Sequence, residues 1–151
     1  MNAKALACLC ATLTTGCASL DTAPAPRVRP DVVAEMNALR KSAGVEPVRV
    51  IDLPMTSARA RGAWSHRNGT LAAGHAGFGA DVMGANTPGA WAGENLYRGP
   101  ARSSAKEIVE TWSESPRHKK IMLHKGAQAC AAASVADDRL AVVALTCAGD
   151  P

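Results

Sequence analysis

The stretch GENLYRGPARSSAKEIVETWSESPRHKKIML, which runs from Gly93 to Leu123, decides the fold of this chain. It opens with a carboxylate, Glu94, beside an amide, Asn95, in a short segment flanked by apolar residues. Near its end stands an imidazole, His118, that directly follows a Ser-Pro turn. An acid and an imidazole on neighbouring elements predict that the rest of the chain brings these two groups together.

The segment between the two groups carries the signals of a helix. Ser104 and Glu107 have the S-x-x-E spacing of a capping box, in which each side chain satisfies an exposed backbone N–H of the other residue. Ile108, Val109 and Trp112 then recur at helical spacing and predict one apolar stripe. The stretch therefore predicts an amphipathic helix that is capped at Ser104.

Pro116 predicts a boundary between this helix and a second one. Because proline disfavours helical geometry at the preceding residue, the first helix should end near Ser113 to Ser115. Proline is also tolerated at the first position of a helix, which predicts a short helix over Pro116 to Met122. His118 then lies in its first turn, where the turn sets the direction of the imidazole.

Two blocks of this stretch resemble the CAP superfamily, which takes in cysteine-rich secretory proteins, antigen 5 and pathogenesis-related class-one proteins. The blocks are G-E-N-L and V-x-x-W-x-x-S-P-x-H-K-x-I-M-L, and the second is similar to the bacterial branch, typified by W-x-x-S-P-x-H-R-x-x-I-L. The matching residues are Trp112, Ser115, Pro116, His118, Ile121 and Leu123. The resemblance covers roughly Asp31 to Cys147. It implies an α/β fold, a three-layer α/β/α sandwich with a small, mainly antiparallel sheet.

The N-terminal residues predict export. Residues 1–16 combine Lys4 with a short apolar run, which is typical of a lipoprotein-type signal peptide and too short to span a bilayer. The residues before Cys17, Thr-Thr-Gly, resemble a bacterial lipobox and predict an acylated Cys17 as the mature N-terminus. Ordinary cleavage nearby, for example after Ala18, is the alternative. We therefore expect a location in the periplasm or at the cell surface, with a membrane anchor at Cys17.

The remainder of the chain divides into a tether and one domain. Residues 17–30 contain several prolines and no periodicity, which predicts an extended Pro-rich tether. Residues 31–149 form the expected CAP domain. A length of 151 residues with 47% apolar content suits a single domain with a real core.

Two more helices are predicted in the first half of the domain. One begins near Pro30–Asp31 and ends at Gly44. Its Asn37, Arg40 and Gly44 form the pattern N-x-x-R-x-x-x-G, which resembles the first CAP helix; the alternative is that Asn37 and Arg40 form a solvated face. The other runs from about Pro54 to Arg67. The residues that can share its inner face are Met55, Ala58, Ala63 and His66. Its three arginines, Arg59, Arg61 and Arg67, are expected to stay in water.

The C-terminal part predicts a hairpin and a disulfide. Gln128 to Val135 and Leu140 to Cys147 are strand-like runs around an Asp-Asp turn, and this register places Cys130 opposite Cys147. The remaining cysteines leave with the signal peptide or carry the lipid, so one pair remains in an oxidising compartment. The alternatives are two free thiols or, less favoured because no C-x-x-C spacing exists, a zinc site.

The net charge of +4 is scattered along the chain, with one exception near the site histidine. The basic residues there are Arg117, Lys119, Lys120, His124 and Lys125. This group predicts either an anionic partner or a solvated helix face. The sequence contains no nucleic-acid motif and no aromatic stacking platform, so we expect no nucleic-acid partner.

The resemblance implies a cleft lined by His75, Glu94 and His118, with Asn95 and Ser115 beside them. Two imidazoles and a carboxylate suit zinc with water in a fourth place, so zinc is the cofactor that this set could hold. The second acid of eukaryotic members falls at Ser115 here, which leaves the metal set incomplete. The alternatives are that these residues hold a ligand or that they pin the helices to the sheet.

The expected function is non-enzymatic binding of a small lipid-like ligand, or of an envelope partner protein, by a monomer in this cleft. One alternative is a zinc-dependent hydrolase that acts on peptides or cell-wall material, although no Ser or Cys nucleophile motif is present. Another alternative is a structural or interaction protein. The sequence itself names no ligand.

Overall fold

The computed structural model describes residues 23–68, 74–78 and 90–150. The predicted signal peptide, Cys17 and the start of the tether lie outside these residues. The described helices are α1 (Pro30–Ser42), α2 (Pro54–Ser65), α3 (Ala105–Glu114) and α4 (Pro116–Met122). The described strands are β1 (Arg27–Val28), β2 (Arg49–Val50), β3 (Trp91–Pro100), β4 (Ala127–Ala136) and β5 (Leu140–Gly149).

One sheet contains all of these strands. Its order is β1-β4-β5-β3, and β2 also pairs with β4. The pairs of β1 with β4, of β4 with β5 and of β5 with β3 are antiparallel, whereas the short pair of β2 with β4 is parallel. The prediction of a small, mainly antiparallel sheet is therefore confirmed. Within the described residues β3 has a single strand neighbour and forms an edge of the sheet.

Helices cover both faces of the sheet. On one face, α1, α3 and α4 pack against the sheet through a buried cluster that includes Met36, Ile108, Trp112 and Leu145. On the other face, α2 packs through Ala60, Ala63 and Trp64 against Leu96, Val135, Val142 and Ala144. The predicted three-layer α/β/α sandwich is thus confirmed, and small alanine side chains let α2 lie close to the sheet.

The C-terminal hairpin has the predicted register. Cys130 pairs with Cys147 across β4 and β5, and their sulfurs form a disulfide over a sequence separation of 17 residues. Both strands extend two or fewer residues beyond the predicted ends. In the chain-entropy model a crosslink of this span stabilises the folded state by about 3 kcal/mol.

The two consecutive helices α3 and α4 also form as predicted. The capping box is complete, since the Glu107 N–H donates to Ser104 Oγ and the Ser104 N–H donates to the Glu107 carboxylate. Ser115 joins the helices with an extended backbone, and Pro116 begins α4. The Trp112 indole N–H donates to the Leu96 carbonyl over 3.0 Å, which fixes α3 against the edge strand β3.

Asn37 and Arg40 of α1 have structural roles, so the alternative of a solvated face is wrong for both. Asn37 accepts from the Val48 N–H and donates to the Val48 carbonyl. Arg40 is 0% exposed and donates to three carbonyl oxygens, those of Glu46, Met122 and His124. Its guanidinium therefore ties α1 to the end of α4, because the loop carbonyls there need donors.

The folded unit begins earlier than the predicted tether boundary at residue 30. Arg27 and Val28 pair with Ser134 and Ala133 of β4, and the backbone N–H of Arg29 donates to the Ala132 carbonyl. The exposed edge of β4 offers these backbone partners, so the end of the Pro-rich segment joins the sheet. Among the described helices, none has both the length and the apolar character required to cross a membrane.

Candidate functional site

A cavity of about 670 Å³ opens beside the edge strand β3. The described residues that line it are His75, Phe78, Trp91, Ala92, Gly93, Glu94, Ser115, Arg117, His118 and Ile121. The structure therefore brings four of the five predicted cleft residues together. Asn95 is the exception: it is buried and does not line the cavity.

The centre of the site is a buried ion pair between α2 and β3. Arg59 Nε lies 2.7 Å from Glu94 Oε1, and Arg59 Nη2 lies 3.2 Å from Glu94 Oε2. His75 Nδ1 lies 2.7 Å from Glu94 Oε2. Both carboxylate oxygens of Glu94 are thus occupied by nitrogen partners of the protein itself.

Arg59 also organises the segment that carries His75. Its guanidinium donates to the carbonyls of Gly74 and Ala76, and it lies 5.6 Å from the centre of the Phe78 ring. One side chain thereby joins α2, residues 74–78 and β3. The prediction that Arg59 stays in water is wrong, because its charge has partners in two other parts of the fold, β3 and residues 74–78.

The sequence contained a signal that Arg59 faces inward. Thr56, Arg59, Ala60 and Ala63 are spaced as one helical stripe, and all four are buried. Its other members are small, which leaves room for one long side chain. Of the predicted inner face, Ala63 is buried and Met55 is half-buried, whereas Ala58 and His66 are exposed, so the prediction is wrong for these two.

The surroundings keep Glu94 ionised. Burial by itself raises the pKa of this carboxyl, but the hydrogen bonds from His75 and Arg59, together with the Arg59 charge, outweigh that effect and leave the pKa below its ordinary value. The Glu94 side chain is 1% exposed, so water screens the pair weakly. Glu94 therefore carries a negative charge, and the adjacent Arg59 guanidinium neutralises that charge.

His118 enters the cavity from the opposite layer of the sandwich. The Asn95 side-chain amide donates to the His118 carbonyl over 3.1 Å, which pins α4 to β3. Burial lowers the pKa of the His118 imidazole, and the charges of His75 and Arg117 lower it further. A neutral imidazole at pH 7 follows. The hydrogen bonds of the described residues do not join His118 to Glu94, so the two groups share the cavity without direct contact.

An apolar wall completes the cavity, and sequence reasoning did not assign it. Phe78, Trp91 and Ile121 supply it. The Trp91 ring stacks on His124 with a centroid separation of 3.9 Å. A β-carbon at Gly93 would lie 2.8 Å from Ile121 and from Trp91, so glycine is needed for α4 to approach the strand.

The predicted zinc set does not fit this arrangement. In the part of the chain that is described, no group of three or more His, Cys, Asp or Glu side chains is placed to hold a metal ion. The Arg59 guanidinium lies against both oxygens of Glu94, and its fixed positive charge repels a dication there. A carboxylate that is already paired is a poor metal ligand.

Comparisons with known proteins agree with the fold. The solved structures that are similar include an outer surface protein of Borrelia burgdorferi, with a TM-score of 0.63 and 16% identity over 80% of this chain and 90% of that chain. They also include a cysteine-rich secretory protein of Staphylococcus aureus, with a TM-score of 0.51 and 13% identity over 76% of this chain and 37% of that chain. A comparison with curated proteins gives no match.

These likenesses, at such low identity, show a shared fold. The family model described as the cysteine-rich secretory protein family, CAP, matches residues 33–148 and includes α2, β3, α3, α4 and the hairpin. Since that match spans most of the chain, this protein belongs to the CAP family.

Proposed function

We propose that this protein is an exported, lipid-anchored protein of the bacterial cell envelope whose CAP domain binds a small lipid-like ligand without catalysis. Export and acylation at Cys17 rest on the signal pattern of residues 1–17. A disulfide between Cys130 and Cys147 agrees with an oxidising compartment outside the cytoplasm.

The ion pair of Arg59 with Glu94 carries the proposal of non-enzymatic binding. It neutralises the one acid among the described residues that line the cavity, and it leaves that carboxylate without a role as base or metal ligand. What remains is an open hollow with an apolar wall of Phe78, Trp91 and Ile121. Such a cavity suits the apolar part of a ligand, while a few polar groups fix the orientation of the ligand. A zinc-dependent hydrolase is not favoured by any contact at the site.

The proposal is tested by recovering what the cavity holds. The full chain is purified from native envelopes, extracted with organic solvent, and the extract is analysed by mass spectrometry. Ala92→Trp places an indole into the cavity, while Ala38→Trp, on an exposed position of α1, is the matched control. We expect one lipid-like species from the wild type and the control that is lost from Ala92→Trp. Equal extracts from all three proteins would contradict the proposal.

The anchor is tested separately on the same samples. Mass spectrometry of the N-terminal peptide should show cleavage before Cys17 and an acylated Cys17. An unmodified N-terminus after Ala18 would contradict the anchor and leave the binding proposal standing.

A further inference from the structure

One positive charge in the described lining of the cavity has no acidic partner. Glu94 is the one acid among the described lining residues, and Arg59 is paired with it through two nitrogens. The pair contributes no net charge to the hollow. The remaining permanent charge of the lining is that of Arg117, which is exposed at the start of α4.

The residues that follow Arg117 in the chain, outside the described lining, include three more cations. Lys119 and Lys120 follow on α4, and Lys125 follows in the next loop; all three are exposed. None of the ion pairs formed by the described residues involves these lysines or Arg117. Two acids lie near these residues in the described chain: Glu114 at the end of α3, which is exposed and makes no ion pair there, and Asp150, which follows the strand partner of Trp91 and whose backbone N–H donates to the Gly126 carbonyl beside Lys125. Arg117 is therefore the cation of the described lining that no described acid pairs with.

We propose that the cavity selects an anionic headgroup, a carboxylate or a phosphate, which binds at the Arg117 side while its apolar chain lies on Trp91, Phe78 and Ile121. This inference rests on the proposed function, because it assigns the charge of the ligand that the cavity holds. Arg117 supplies the attraction for the anion, and Arg59 removes the competing negative charge of Glu94. Without the Arg59 guanidinium, Glu94 would give the floor of the cavity a negative charge and favour a cation.

Coulomb's law gives the expected preference. A unit charge on the headgroup, about 5 Å from one cation in a largely solvated setting, changes the affinity by roughly fivefold to tenfold when the effective dielectric constant is about 50 to 70. Lys119 and Lys120 add smaller, salt-screened contributions. A cationic headgroup meets the same interactions with the opposite sign.

The test compares four probes with one alkyl chain and different headgroups: dodecanoate, dodecyl phosphate, dodecanol and dodecyltrimethylammonium, each below its micelle concentration. Inorganic phosphate is included to separate a lipid headgroup from a free anion. Binding is followed by tryptophan fluorescence, since Trp91 lines the cavity whereas Trp64 and Trp112 are buried. Calorimetry provides an independent affinity.

We expect both anionic amphiphiles to bind about tenfold more tightly than dodecanol, with the trimethylammonium probe the weakest. Arg117→Gln should reduce the preference for anionic probes over dodecanol about fivefold. Lys41→Gln, an exposed change on α1, should leave the preference unaltered.

The outcomes separate this inference from the proposed function. Dodecanol that binds as tightly as dodecanoate would overturn the anionic preference and leave a lipid-binding cavity. Tight binding of inorganic phosphate, with no gain in affinity from the alkyl chain, would show an anion site that does not bind a lipid and would overturn the inference as stated. Failure of every probe to bind would overturn both proposals.

Discussion

Replacing Arg59 by methionine should be among the most destabilising single changes in this domain. The side chains of Arg59 and Glu94 are 10% and 1% exposed, so the substitution leaves a buried carboxylate with His75 as its remaining partner. It also removes the donors to the carbonyls of Gly74 and Ala76. Breaking a buried pair in this way costs about 3–5 kcal/mol of unfolding free energy.

Urea unfolding measures this cost. With an m-value of about 1–3 kcal/mol per molar urea, the midpoint should fall by about 2 M. Arg61→Met is the matched control, because Arg61 is exposed on the same helix and should change the stability by less than about 0.5 kcal/mol. The double variant Arg59→Met with Glu94→Met should be more stable than Arg59→Met alone, since no buried charge is left unpaired. A loss no larger than that of Arg61→Met would refute the reasoning.

The same pair predicts a contribution to acid unfolding. Because the folded pKa of Glu94 lies below the ordinary value of 4.5, the unfolded chain binds more protons in this range. The stabilisation is complete above the ordinary value and is lost as the pH falls through the folded pKa. Glu94→Gln should therefore lose stability less steeply than the wild type when unfolding is followed below about pH 4. Equal slopes for the two proteins would contradict the ionised state of Glu94.

Three further predictions use the same unfolding assay. The double variant Cys130→Ala with Cys147→Ala should lose about 3 kcal/mol, and no change under oxidising conditions would contradict the disulfide. Ser104→Ala removes the cap of α3 and should cost about 1 kcal/mol; an unchanged midpoint would contradict the capping box. Arg40→Met leaves three carbonyl oxygens without their donor and should cost about 3 kcal/mol, whereas Lys41→Met should be nearly neutral. Equal effects at the two positions would contradict a structural role for Arg40.

Structural elements whose sequence signals lie within a few residues of one another could be predicted from the sequence. The capping box at Ser104, the proline at the start of α4 and the register of the cysteine hairpin each depend on local chemistry. The resemblance to CAP proteins then predicted the three layers of the α/β/α sandwich. It also indicated that His75, Glu94 and His118 share one hollow, and the structure lines a single cavity with all three.

Features that depend on distant partners could not be predicted in the same way. Arginine is usually solvated, so the sequence predicts Arg59 in water and leaves a solvated face as one of two alternatives for Arg40; their partners lie up to 84 residues away in the chain. The length of β3 was also missed. Both of its faces are covered, so its sequence lacks polar alternation, and Gly93 and Gly99 interrupt its strand signal.

A zinc titration of the wild-type protein, followed by calorimetry at neutral pH, tests the central claim most directly. If Arg59 occupies the carboxylate of Glu94, the wild type should show no zinc binding that depends on His75. Stoichiometric zinc binding that disappears in a His75→Ala variant would show that the cavity is a metal site and that the proposed role of the arginine is wrong.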